Sequence, residues 1–355
     1  MNFDHKTLGQ RVMFGSYQAA KNLQQVVTER DAQTVMLIAS NSQVHTAREL
    51  AADIDVALEY SEVVMHVPIE TAENARAAAE RHKIDLMVAV GGGSTTGLAK
   101  AIALTTGIPI IAVPTTYSGS EATNMWGITE HDRKTTGIDD RVLPETIIYD
   151  AALLLNLPVE LSVASGLNGL AHCIDSLWAP KADPINAALA SEGIRALHSG
   201  LPQIVADPQH LAGREHALYG AYLSAVAFAS AGSGLHHKIC HVLGGTFNLP
   251  HAQTHATVLP YVLAFNQHAA PEAAQRIATA FDSGDALTGL ETLRTQIGAP
   301  TALADYGYTA DDIPVSVEIV LSNLPSNNPR HVTEENLTEL LTAALHGLDP
   351  SRMLE

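Results

Sequence analysis

Between residues 34 and 150, short apolar runs alternate with stretches of helical periodicity, and this alternation constrains the fold more than any other feature of the chain. The runs 34–39, 62–67, 86–90, 109–113 and 146–150 read as strands. The stretches 43–54, 73–83 and 94–104 between them read as helices. Strands separated by helices make βαβ units, and βαβ units make a parallel sheet covered on both faces. After Leu157-Pro158 the texture changes. Ala-, Leu- and His-rich helical patterns follow at 166–177, 184–197, 213–230, 235–243, 271–281, 286–297 and 334–348, with little that resembles a strand. The expectation is an α/β domain over 1–158, with a Rossmann-like parallel sheet, and an all-α domain over 159–355. A chain of 355 residues, 46% of them hydrophobic, has the apolar material for two cores.

Charge and cysteine content exclude several classes of function. A formal net charge of −18 argues against nucleic acid, whose backbone calls for clustered Lys and Arg. It also repels small anions, so a dicarboxylate site would need local donors and cations. Two cysteines, Cys173 and Cys240, make no disulfide framework, and a cytoplasmic location is the default. The start of the chain has no basic segment followed by an apolar one, so no secretory signal is read. The most apolar stretches are too short or too broken by Gly and Ser to span a bilayer, which excludes a membrane role.

Gly91-Gly92-Gly93-Ser94 follows an apolar strand and opens a helix. Glycines let a backbone approach a ligand closely, and the free N–H groups of a helix N-terminus bind phosphate. The usual G-x-G-x-x-G fingerprint fails, because Thr96 stands where its last glycine would be. A second loop, Pro114 to Glu121, is crowded with hydroxyls (Thr115, Thr116, Tyr117, Ser118, Ser120) and also follows an apolar strand. Two such loops at strand ends are where an open parallel sheet binds a nucleotide. The plainer alternative, hydroxyls that cap the next helix, is compatible with that role.

Five histidines lie between His236 and His255. On a helix His237 and His241 share a face, as do Asn168 and His172 on another. His251, after Pro250, is expected in a loop. Imidazoles converging from separate helices suggest a metal site or acid–base machinery. Neither spacing nor neighbours select His236 and His255, which read as surface or satisfied core residues.

Together these residues resemble the iron-containing alcohol dehydrogenase superfamily, over nearly the whole chain. The resemblance implies a dinucleotide-binding α/β domain and a helical catalytic domain, the architecture shared with dehydroquinate synthases. The family pattern D-x-x-x-H, H-x-x-x-H, P-H is met by Asn168/His172, His237/His241 and Pro250-His251, with asparagine in place of the metal-ligating aspartate. No anionic group then remains among the ligand positions Asn168, His172, His237 and His251, so a bound metal is less expected, although three histidines can hold zinc by themselves. The segments 117–129, 133–144 and 165–172 are similar to one branch, the maleylacetate reductases. That branch implies reduction of 2-maleylacetate to 3-oxoadipate by NADH or NADPH, late in the breakdown of resorcinol-type or chlorinated aromatics, in a homodimer.

The roles implied are these. His241 and His237 act as general acids or oxyanion donors, while His172 and His251 orient the substrate beside Asn168. Tyr117, Ser118 and Lys238 contact its carboxylates, with Arg330 a weaker candidate. Gly92, Gly93, Ser94, Thr115, Thr116, Ser118 and Lys134 line the cofactor. Ser40 stands where many NAD-preferring members carry aspartate, which leaves NADPH admissible. The rival is a metal-dependent alcohol or glycerol dehydrogenase on the same fold. A dehydroquinate synthase-type lyase lacks its glutamate ligand here, and a silent nucleotide-binding scaffold would not need clustered histidines.

Overall fold

The computed structural model describes residues 2–130, 133–325 and 327–354. The chain divides into two compact units: Thr7–Leu157, and the first six residues together with everything from Pro158 onward.

In the first unit the order is β1 (Arg11–Phe14), α1 (Ala19–Glu29), β2 (Val35–Ile38), α2 (Val44–Leu50), β3 (Val56–Tyr60), α3 (Ile69–Arg81), β4 (Leu86–Gly91), α4 (Gly93–Thr106), β5 (Ile110–Pro114), β6 (Met125–Glu130), β7 (Arg133–Ile138) and β8 (Thr146–Tyr149). Six strands form one parallel sheet in the order β1-β8-β5-β4-β2-β3, and β6 pairs with β7 as an antiparallel hairpin. The strands are apolar on both faces, and the alternation of side chains feeds two cores. Val35, Leu37, Leu86, Val88 and Val90 pack with Leu23, Val26 and Ala47 of α1 and α2. Met36, Ile38, Met87 and Ala89 pack with Ala72, Ala75, Leu98 and Ile102 of α3 and α4.

Two expectations need correction here. The third strand is Val56–Tyr60, not 62–67. In the latter stretch His66 and Val67 both take positive φ, +63° and +50°, so the backbone turns there instead of extending. The hairpin β6/β7 and the opening pair β1/α1 had no clear apolar periodicity to announce them.

The second unit is helical among its described residues: α5 (Val159–Ser176), α6 (Pro184–Ala206), α7 (Leu211–Ala231), α8 (Leu235–Phe247), α9 (His251–Gln267), α10 (Pro271–Ala280), α11 (Ala286–Gln296), α12 (Ile313–Ser322) and α13 (Glu334–His346). The first residues of the chain belong with it because His5 Nδ1 lies 2.7 Å from Asp183 Oδ2, the carboxylate that also caps α6 through the Ile185 and Asn186 N–H groups. Helix α5 is buried almost all round, as a helix enclosed by others must be. No helix among the described residues is long and apolar enough to cross a membrane.

His251 is not in a loop. It opens α9, with Pro250 at the cap, because the fixed φ of proline, here −64°, suits the start of a helix and its missing N–H costs nothing there.

Candidate active site

The nucleotide side is built from strand register. Gly91 and Pro114 are partners across β4 and β5, so the two loops leave the sheet side by side. The Thr115 N–H donates to the Gly91 carbonyl at 3.1 Å and holds them together. Chain order turns back between β2 and β4, the place where open α/β sheets leave a crevice at their C-terminal ends. The glycines here leave no room for a side chain. A Cβ on Gly91 would lie 2.3 Å from Thr95 Oγ1, and one on Gly92 would lie 2.9 Å from Thr116 Cγ2. No side chain caps α4, so its first N–H groups, from Gly93 and Ser94 onward, keep their hydrogen-bonding capacity for a ligand. Thr116 Oγ1 is buried and has no partner. Such a cradle, with an unclaimed hydroxyl at its edge, fits the diphosphate of a nicotinamide dinucleotide.

A buried lysine fixes the second loop. Lys100 of α4, 1% exposed, donates from Nζ to the carbonyls of Ser120, Thr123 and Met125 at 2.6, 2.8 and 2.8 Å, and to Thr123 Oγ1 at 3.0 Å. Burial pulls its ammonium down to about 7, with the neighbouring Glu121 opposing. The carboxyl of Glu121, pushed up by its own burial, accepts from the Tyr149 hydroxyl at 2.8 Å. Sequence reading overlooked Lys100, though one charge inside the apolar run 98–104 was a usable signal. Tyr117 is wholly buried, while Ser118 is half-buried beside Gly93. The side chain of Lys134 lies outside the described residues.

The histidine side is built from helix spacing. Asn168, His172 and Asp175 stand four and three residues apart on α5 and share a face. Helix α8 contributes His236, His237, Lys238, Cys240 and His241, and α9 contributes His251 and His255. Asp175, 0% exposed, is the organising group. It accepts from His237 Nδ1 at 2.7 Å and from the Gly234 N–H at 2.9 Å, with longer contacts from the His237 N–H and Trp178 Nε1 at 3.4 and 3.3 Å. A carboxylate from one helix thereby caps the start of another, where the dipole favours negative charge. It sits so close that a Cβ on Gly234 would be 2.2 Å from Asp175 Oδ1.

The bond from Nδ1 leaves the lone pair of His237 on Nε2, which is buried and unpartnered. His172 Nδ1 and Asn168 Oδ1 are likewise buried without partners. Burial pushes His172 down to about 3 and holds His237, His236 and His255 well below the ordinary histidine value, while it pushes Asp175 up. These four rings are therefore neutral. His241 and His251 are exposed. Lys238 is half-buried, and its charge contributes to lowering His237.

The four family positions offer a metal ion no anionic ligand. The His172 and His237 rings lie 4.9 Å apart and 16° from parallel, with Phe228 against both. Asn168 supplies no charge, and the nearest carboxylate, Asp175, is spent on His237 Nδ1. Arg330 is held elsewhere: its guanidinium stacks 4.4 Å over Phe265 and donates to the Met353 carbonyl at 2.6 Å.

Comparison with known proteins identifies the family. Residues 9–151 match the model of the iron-containing alcohol dehydrogenases, and residues 162–345 match the C-terminal model of the same family. The chain belongs to the iron-containing alcohol dehydrogenase family. Within that family it is 44% identical to maleylacetate reductase of Sphingobium indicum, over 99% of both chains. The crystal structure of maleylacetate reductase from Rhizobium sp. strain MTP-10005 superposes with a TM-score of 0.93 at 39% identity, covering 98% of this chain and 99% of that one. An iron-containing alcohol dehydrogenase from Corynebacterium glutamicum is 63% identical, with a TM-score of 0.98 and 99% of each chain covered.

Two residues emerge that sequence reading did not select. Asp175 was legible only as a lone carboxylate in an apolar helix. His255, read as an ordinary residue, proves to be wholly buried and bonded to His236.

Proposed function

We propose that this chain is an NAD(P)H-dependent oxidoreductase that reduces the carbon–carbon double bond of maleylacetate to give 3-oxoadipate. The carrying observation is the histidine cluster itself, with the amide of Asn168 where a metal-dependent relative carries its one anionic ligand. The likeness to the maleylacetate reductases points the same way.

The chemistry suits such a site. In maleylacetate the double bond is conjugated to a ketone. Hydride from the dihydronicotinamide adds to the alkene carbon β to that ketone, its electron pair forms the new C–H bond, and the π electrons move to the ketone oxygen. The resulting enolate is more stable than the alkoxide of an alcohol dehydrogenase. Hydrogen-bond donors can support it without a Lewis acid. Protonation of the carbon next to the ketone completes 3-oxoadipate, so one NADH and one proton are consumed.

His241, exposed on α8, is the group we assign to deliver that proton. His237, neutral and tied to Asp175, is better suited to accept a hydrogen bond than to give a proton. His172, His251 and Asn168 orient the substrate, with Ser118, Lys238 and Tyr117 assigned to its carboxylates. The nicotinamide cofactor supplies the hydride; Gly92, Gly93, Ser94, Thr115, Thr116 and Ser118 hold its diphosphate. After β2, Ser40 bonds to Ser42 at 3.0 Å and stands where an NAD-preferring member carries aspartate, so both NADH and NADPH are admissible. The assembly we propose is a homodimer in the cytoplasm.

The 63% identical Corynebacterium protein bears the name of an alcohol dehydrogenase, which makes that activity the second reading. One assay separates them. Maleylacetate should consume NADH mole for mole and yield 3-oxoadipate by mass spectrometry. Turnover of simple alcohols with no reaction on maleylacetate would establish the second reading instead.

A further inference from the structure

Helix α4 serves the nucleotide side at two levels. Its first turn carries the glycine cradle, and Lys100 follows Gly93 two turns later, close to the same face of the helix. The segment after β5 runs down that face. Thr116 lies beside Gly92, Ser118 lies beside Gly93, and the backbone from Ser120 to Met125 lies beside Lys100.

The two levels hold the segment with different strength. At the cradle the contact is van der Waals: a Cβ on Gly93 would stand 3.4 Å from Ser118 Oγ, so glycine permits close approach but grips nothing. Two turns below, the contact is polar and buried. Lys100 Nζ meets the carbonyls of Ser120, Thr123 and Met125 and the Thr123 hydroxyl, all within 3.0 Å. An ammonium has three hydrogens and a neutral amine two, so the three carbonyls are all satisfied only by the charged form. Such charge-assisted bonds are the strong ones. Glu121, buried beside the ammonium, balances its charge. Gln10 holds the Glu121 carbonyl at 2.9 Å, and Asp140 accepts from Asn124 Nδ2 at 2.7 Å. These two grip the segment from other sides, whereas Lys100 ties it to the helix that carries the cradle.

We propose that Lys100 is a positioning residue for the cofactor: its ammonium sets residues 115–125 against α4, so that Thr115, Thr116 and Ser118 stand in register with the N–H groups of Gly93 and Ser94. This inference rests on the cofactor site proposed above. Lys100 is itself enclosed and touches no ligand, so it acts only through the segment it holds.

Lys100→Met keeps the apolar stem and removes the ammonium. It should raise the Kd for NADH, followed by fluorescence, by about tenfold, equivalent to about 1.4 kcal/mol. In chain free of cofactor, amide hydrogen exchange should quicken over residues 115–125 and stay as in wild type across β2. The same substitution leaves Glu121 without its counter-charge, so the double variant Lys100→Met/Glu121→Gln separates the tie from the charge balance, and the raised Kd should persist in it. The double variant also carries the test if the single one does not fold, which thermal melting checks. Leu290→Ala, a cavity in α11 of the helical unit, controls for lost stability alone and should leave NADH affinity and those amides as they were. A folded Lys100→Met that binds NADH like wild type overturns the proposal. So does a double variant restored to wild-type affinity, which would make charge balance the whole effect. Wild-type chain that binds no NADH overturns it together with the cofactor site, whereas binding without reduction of maleylacetate contradicts only the proposed reaction and leaves the Kd comparison to decide.

Discussion

The glycine turn after β4 and the histidine cluster of α5, α8 and α9 hold ligands by different means. In the turn the working groups are backbone N–H donors, and side chains matter mainly by their absence: a Cβ at Gly91 or Gly92 would strike a threonine. In the cluster the working groups are side chains, and the backbone matters by its period, which sets Asn168, His172 and Asp175 on one face. A site made of backbone is rigid, indifferent to pH and general, as suits a cofactor shared by many enzymes. One made of imidazoles is tunable, and here burial and one carboxylate set which rings are neutral and how they are turned. Changes in the turn should therefore move cofactor affinity, and changes in the cluster should move turnover and pH dependence.

The largest effect should come from the cluster. His241→Ala is expected to lower kcat by about 10²–10⁴-fold while NADH binding, followed by fluorescence, and the melting temperature stay unchanged. A loss of NADH affinity instead would erase the distinction between the two regions. Next is Asp175→Ala, which strands His237 Nδ1 and the Gly234 N–H in the interior. Leaving a buried donor without its acceptor typically costs about 1–3 kcal/mol, to be read from urea unfolding. A cost near zero would mean that α8 is positioned by packing alone.

In the turn, Gly92→Ala should raise the KM for NADH by about tenfold, equivalent to about 1.4 kcal/mol, with kcat at saturating NADH preserved. A fall in kcat at unchanged KM would place Gly92 in the chemistry and blur the comparison. The last test is pH. Folded chain keeps His172 neutral down to about 3, whereas unfolded chain protonates it below about 6.5. Stability from this ring is thus complete above 6.5 and falls by about 1.4 kcal/mol per pH unit as the pH drops toward 3. His236, His237 and His255 act in the same direction, and Asp175, pushed up, acts against them at the acid end. Melting temperatures between pH 8 and 5 check the sign; a chain more stable at pH 5 than at pH 7 would show that these rings are charged in the folded state.

The two regions also differed in how readable they were. Glycines after an apolar run announce their role locally, and the strand register that brings Gly91 beside Pro114 follows from a parallel sheet. The α/β order was legible for the same reason, apart from the strand at Val56–Tyr60 and the hairpin, whose residues are only partly apolar. In the cluster, spacing identified His237 and His241, and Asn168 and His172, but not what they touch. Asp175 acts across 62 positions of sequence and His255 across 19, and no local pattern encodes such a partner. His251 was misplaced because Pro250 was read as a stop, whereas proline also starts helices.

The measurement that bears most directly on this account is NADH oxidation with freshly prepared maleylacetate, before and after exhaustive chelation with metal content measured alongside. The account predicts rapid oxidation that survives chelation undiminished, because protein donors support the enolate. Oxidation abolished by the chelator and restored by iron or zinc would contradict it, and would place a cation on His172, His237 and His251.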